Sequence, residues 1–130
     1  MALSWFVDDP VAPDADHTRQ LLSKGWSSVV PRIWQLEMMN GFLKAERRGN
    51  LSMVEVDESF AEMQRLEQLS VWPDAGLVSL DDILRYARTL QLTSYDASYV
   101  ELARREGLPL ATLDKSLRVS ARKAGVALLK

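Results

Sequence analysis

The chain has no cysteine and a single histidine, His17, in 130 residues. The lack of thiols excludes disulfides, thiolate zinc sites and a cysteine nucleophile. One imidazole leaves almost nothing from which to build a histidine-based triad or a zinc hydrolase. His17 itself stands beside Asp14, Asp16 and Arg19 and reads as a solvated surface residue. No apolar run reaches the about 18–20 residues that a bilayer span needs. The N-terminus lacks a basic n-region, and Asp8, Asp9 and Pro10 interrupt its apolar start, a pattern that argues against a signal peptide. There is no Gly-rich phosphate loop, because Gly49, Gly76, Gly107 and Gly125 fall where helix ends and turns want them. Internal repeats and low-complexity tracts are also missing. These absences agree with a cytoplasmic protein that has no membrane partner.

What remains is an ordinary globular balance, 47% apolar and 26% charged, in a length that fits one domain over residues 1–130. The net charge is −2, which disfavours a broad electrostatic platform for nucleic acid but leaves room for a local basic patch.

Residues 2–7 read as a short buried strand, ended by Asp8, Asp9, Pro10 and Pro13. Asp14 can cap a helix running to about Lys24, before Gly25. Residues 27–30 read as a second strand, and Pro31 suits the first turn of a helix over about 32–48, with Gly49 as its stop. Ser52 and Glu55 match a capping box, and Val56, Phe60, Met63, Leu66 and Leu69 follow at helical spacing. Residues 70–72 form a weak strand closed by Pro73. Ser79 can cap a helix with Ile83, Leu84, Ala87 and Leu90 as its inner stripe. Thr93 or Ser94 opens another, ending at Gly107. Residues 108–112 read as a strand, 114–124 as a helix and 126–129 as a last strand. Short apolar strands alternating with helices point to βαβ units and a parallel sheet covered on both faces. Ligands in such sheets collect outside the carboxyl ends of the strands.

Three acidic residues stand in apolar surroundings: Glu37 in Trp34-Gln35-Leu36-Glu37-Met38-Met39-Asn40, Asp96 in Thr93-Ser94-Tyr95-Asp96-Ala97, and Asp114 in Leu110-Ala111-Thr112-Leu113-Asp114. An ionised group withdrawn from water is costly without compensation, and a hard divalent cation is one natural compensator. Each acid also has a plain structural reading. Glu37, with Asn40 on the same helix face, can lie at the edge of an amphipathic helix. Asp96 can serve the first turn of its helix, and Asp114 can be an N-cap. The three become informative together, because one metal site explains all of them. Lys44, Arg47 and Arg48, Arg104 and Arg105, and Lys115, Arg118, Arg122 and Lys123 read mainly as helix C-terminal charges and a solvated face. Lys115, Arg118 and Arg122 share one side of the last helix beside Asp114, where a subset can meet phosphate. Trp5, Trp26, Trp34 and Trp72 flank strands and read as core or dimer contacts.

In this order the segments resemble a PIN domain, and more closely the toxin of VapBC-type toxin–antitoxin pairs. The matching pieces are residues 2–6, 30–40, 45–49, 92–99 and 108–117. The resemblance implies a three-layer αβα sandwich on a mostly parallel central sheet of about four to five short strands. It also implies an acidic cluster binding Mg²⁺ or Mn²⁺, metal-dependent cleavage of RNA, homodimers, and an antitoxin that blocks the site. By motif matching, Glu37, Asp96 and Asp114 fall on the family's catalytic and metal-binding acids, with Asn40 and Thr112 as supporting polar residues. All three acids are then expected in one pocket at the carboxyl edge of the sheet.

The resemblance departs in one place. Such proteins carry an Asp in the first strand, a few residues before the segment matching 2–6, and here that position would lie upstream of Met1. Asp8 and Asp9 follow the segment and match the loop and helix start after it. The expectation is a natural protein that begins several residues earlier, in which the restored Asp tightens metal binding and raises RNA cleavage. The competing expectation is a non-catalytic module of the same fold that engages an antitoxin or other protein. A structural domain with three unrelated helix-capping acids is a third.

Overall fold

Helix boundaries in this chain follow local chemistry. The Ser52 hydroxyl accepts the Glu55 N–H while the Glu55 carboxylate accepts the Ser52 N–H, completing the capping box that opens the longest helix. Ser79, Thr93 and Asp114 each accept a backbone N–H three residues on, and each opens a helix. Gly107 closes one by adopting φ +65°, a left-handed conformation that costs glycine little.

The computed structural model describes residues 1–8 and 10–129, so Asp9, expected in the loop after the first segment, lies outside the described residues. In chain order the elements are α1 (Ser4–Val7), α2 (Pro13–Ser23), β1 (Ser28–Val30), α3 (Trp34–Arg47), α4 (Met53–Leu69), β2 (Val71–Pro73), α5 (Leu80–Leu90), α6 (Ser94–Glu106) and α7 (Lys115–Lys123). They divide into two units, Met1–Pro73 and Asp74–Lys130.

The first unit holds α1 to α4 and a parallel pair, β1 on β2, in which Ser28 stands opposite Val71 and Val30 opposite Pro73. Trp34, Met38, Phe42 and Ala45 form the buried stripe of α3, at the spacing of an amphipathic helix. Gln35 of α3 donates to Glu67 of α4 at 2.7 Å. Trp34 is buried as expected of a core residue, whereas Trp26 and Trp72 are exposed.

The second unit packs α5, α6 and α7 around Tyr86, Ala97, Val100, Ala103, Leu110, Leu117, Ala121 and Val126. Ile83, Ala87 and Leu90 face this cluster as expected, but Leu84 is half exposed. Leu110 and Leu128 meet in a single parallel bridge, with the Leu110 N–H on the Ala127 carbonyl and the Leu129 N–H on the Leu110 carbonyl.

This architecture corrects the expected αβα sandwich. Among the described residues there are seven helices and one two-stranded sheet in place of a central sheet of four to five strands. Two causes are visible. Residues 2–7 are an apolar run without periodicity, which suits a strand or a buried helix equally. They form the helix α1, in which the Val7 N–H bonds the Leu3 carbonyl and the Ser4 hydroxyl bonds Asp8. The helical spacing sends the Trp5 indole N–H to the Ala15 carbonyl at 2.6 Å and sets Phe6 edge-on to Phe42 at 5.4 Å. The expected strands at 108–112 and 126–129 pair through one bridge only. Gly107 precedes the first of them, and Pro109 lies within it with no N–H to give to a ladder.

Candidate functional site

Asp96 and Asp114 belong to the second unit and stand within electrostatic range of each other. Asp96 occupies the first turn of α6, positioned by Thr93, whose hydroxyl accepts the Asp96 N–H at 3.1 Å. Asp114 is the N-cap of α7: its Oδ1 accepts the Leu117 N–H at 3.0 Å, and its own N–H bonds the Thr112 hydroxyl at 3.1 Å. The plain structural reading of Asp114 as a cap is therefore correct, but capping engages one carboxylate oxygen and leaves acceptor capacity on the other.

Burial pushes the Asp96 carboxyl above the usual carboxylate range, and the Asp114 charge raises it further, against a smaller opposing effect of the Thr93 hydroxyl. Glu55 provides the contrast. It holds the same third position of its helix, yet its bond from the Ser52 N–H lowers its pKa. An acid serving only its helix N-terminus is stabilised in its charged form. Asp96 is not.

Thr112 lies beside the pair through its bond to the Asp114 N–H. The expected supporting residue Asn40 is exposed on α3 of the first unit, one turn from Glu37. Glu37 is half-buried there and acts electrostatically on the Met1 ammonium, as Asp8 does, while burial draws that ammonium below its ordinary pKa.

The donors at the Asp96–Asp114 pair are two carboxylates and a hydroxyl, all hard oxygens of the kind Mg²⁺ and Mn²⁺ accept. Among the described residues no group of three or more acidic or imidazole side chains is arranged to hold a metal ion. Two carboxylates are fewer than an all-protein cage requires, and a divalent cation held by only one or two carboxylates keeps several waters. Basic residues adjoin it: Lys115, directly after Asp114, and Arg122 are exposed, and Arg118 is half-buried between them.

Sequence reasoning missed a second charged cluster. Arg105 was expected on a solvated face, but its guanidinium is ringed by three carboxylates: Nε on Glu101 at 2.8 Å, Nη2 on Asp74 at 2.6 Å, and Nη1 on Glu106 at 2.8 Å. Glu101 and Asp74 are only 3% and 6% exposed. The i, i+4 spacing of Glu101 and Arg105 was the available clue, whereas nothing local pointed to Asp74. Arg104 has a different partner, the Ala124 carbonyl at the end of α7, 2.7 Å away.

Among the described residues no helix is long and apolar enough to cross a membrane. In comparisons with known proteins, no family model matches the chain and no curated protein matches its sequence.

Proposed function

We propose that the chain is a divalent-metal-dependent endoribonuclease of the VapC-type toxin class, with its centre at Asp96 and Asp114. The observation that carries this reading is the repelling carboxylate pair, since two acids held so that one resists ionisation are unfavourable for folding and useful to a cation. Asp96, Asp114 and the Thr112 hydroxyl would hold Mg²⁺ or Mn²⁺, which when bound supplies charge stabilisation at a phosphodiester and a more acidic water. The protein's own part is positioning and proton handling. Asp114 is oriented by the Leu117 N–H, so its direction is set by the α7 backbone. Asp96 has the higher proton affinity of an acid that burial and a like charge disfavour as the anion, which suits it to take a proton from an attacking water. Lys115 and Arg122 offer cationic contacts to RNA phosphates, and Tyr95, exposed beside Asp96, offers a ring face to a base. Self-association and an antitoxin partner belong to the same proposal.

The test combines Mn²⁺ titration with cleavage of single-stranded RNA in the presence and absence of Mg²⁺. Asp96→Asn and Asp114→Asn are each expected to lower cleavage by about 10²–10³ while the protein stays folded. Glu37→Gln tests the remaining acid in the same assay. Cleavage untouched by the Asp96 and Asp114 substitutions would remove the pair from the centre, and a wild-type protein with neither metal binding nor cleavage would remove the function.

The exposed apolar residues Leu77, Val78, Leu80 and Leu84 favour a second reading, a module of the same class that binds protein without cutting RNA. Protein association by a chain that never cleaves RNA at any Mg²⁺ or Mn²⁺ concentration would select it.

A further inference from the structure

Residues 74–79 lead into α5 with no apolar anchor. Leu77 is 92% exposed and Val78 is also exposed, so neither holds the segment in place. Its order comes from charge. At one end Asp74 takes Arg105 Nη2 at 2.6 Å and Nη1 at 3.4 Å. The same Asp74 carboxylate accepts the Gly76 N–H at 3.0 Å, folding the segment back on itself. At the other end the Ser79 N–H donates to Glu101 Oε1 at 3.1 Å. Glu101 also receives Arg105 Nε at 2.8 Å and Nη2 at 3.2 Å. Both ends of the segment are therefore fastened to one guanidinium on α6, either directly or through Glu101.

We infer that residues 74–79 form a strap latched by Arg105, able to open as a unit while the three-helix core of the second unit stays folded. The asymmetry follows from the chemistry of each part. The core is held by apolar burial around Val100, Ala97 and Ala121, which does not depend on Arg105. The charge-assisted hydrogen bonds that hold the strap run to the Arg105 side chain and its two carboxylate partners, Asp74 and Glu101. Without Arg105 the buried carboxylates of Asp74 and Glu101 would lose the guanidinium that both accept, and letting the strap swing into water relieves that cost. Opening exposes little apolar surface, because Leu77 and Val78 are exposed already. The strap thus belongs to the low-stability end of this unit, as segments that open locally do.

Amide hydrogen exchange on the full chain tests this. In the wild type the Gly76 and Ser79 amides are expected to be protected. In Arg105→Met, exchange over residues 74–79 should quicken by about tenfold or more while residues 97–103 of α6 stay protected. Glu106→Gln, which alters only the exposed outer partner, should leave the strap protected. Leu77→Ser serves as a variant that folds without difficulty, and it too should leave the strap unchanged. The inference is overturned if Arg105→Met leaves the strap as protected as before, if strap and α6 lose protection together, or if Leu77→Ser frees the strap as effectively as Arg105→Met.

Discussion

Replacing Gly41 by alanine tests the helical docking of residues 2–7. Gly41 lies inside α3, where alanine is favoured over glycine by about 1 kcal/mol. A Cβ at Gly41, however, would run into the Cδ1 and Cδ2 methyls of Leu3. The Leu3 backbone is held, since its carbonyl accepts the Phe6 and Val7 N–H groups and Phe6 is seated against Phe42, so relief must come from its side chain turning away. Overpacking of this kind costs about 1–3 kcal/mol. The two effects oppose each other, so Gly41→Ala alone should destabilise by between zero and about 2 kcal/mol. Truncating Leu3 removes the obstacle, and in a Leu3→Ala background the same substitution should stabilise by about 1 kcal/mol. The coupling between the two positions is then about 1–3 kcal/mol, well above the error of additivity for independent sites. Urea denaturation of the wild type, both single variants and the double variant measures it. A gain of about 1 kcal/mol in both backgrounds would show that Leu3 does not lie over Gly41, and the account of α1 would fail.

Further outcomes follow from other sites. Because the native Asp96 carboxyl is raised, the folded state binds its proton more tightly than the unfolded state, so this group's contribution falls as pH rises through and above the ordinary carboxylate range. Asp96→Asn should therefore be more stable than wild type at neutral pH, with the difference fading in acid; a variant less stable at neutral pH would show that the acid merely serves its helix. Ser52→Ala should cost about 0.5–2 kcal/mol in denaturation. The depressed Glu55 pKa means that its own contribution is present at neutral pH and is lost as pH falls through the native value, and Ser52→Ala should shrink it only in part, because the Ser52 N–H that is its largest cause remains in alanine. Gly125→Ala forces a left-handed residue, φ +76°, to carry a Cβ 2.7 Å from Arg104 Nη1. The conformational penalty alone is about 1–2 kcal/mol, and an Arg104→Ala background should relieve the clash but not that penalty, as thermal denaturation can measure.

Much of this protein is written within single helical turns. The capping box at Ser52 and Glu55, the caps at Ser79, Thr93 and Asp114, and the stop at Gly107 are legible because a cap acts over three or four residues. The buried stripe of α3 is legible from its period, and the absence of cysteine settled the disulfide question from composition alone. Residues 2–7 were not legible in this way. Their apolar run carries no period, and contacts with Ala15 and Phe42, far along the chain, settled it as a helix. Strand length was likewise beyond the sequence, since a strand needs a partner from elsewhere and β1 and β2 find three residues each. The charged residues divide along the same line. Glu101 and Arg105 announce a pair by their spacing, but only folding brings Asp74 to the same guanidinium. Asp96 and Asp114 are each recognisable as helix-start acids, and only the packing of α6 with the turn before α7 makes them repel. Caps and periods are set by neighbours within a turn, whereas the partner of a strand and the field around a carboxylate are set by residues the chain brings from a distance.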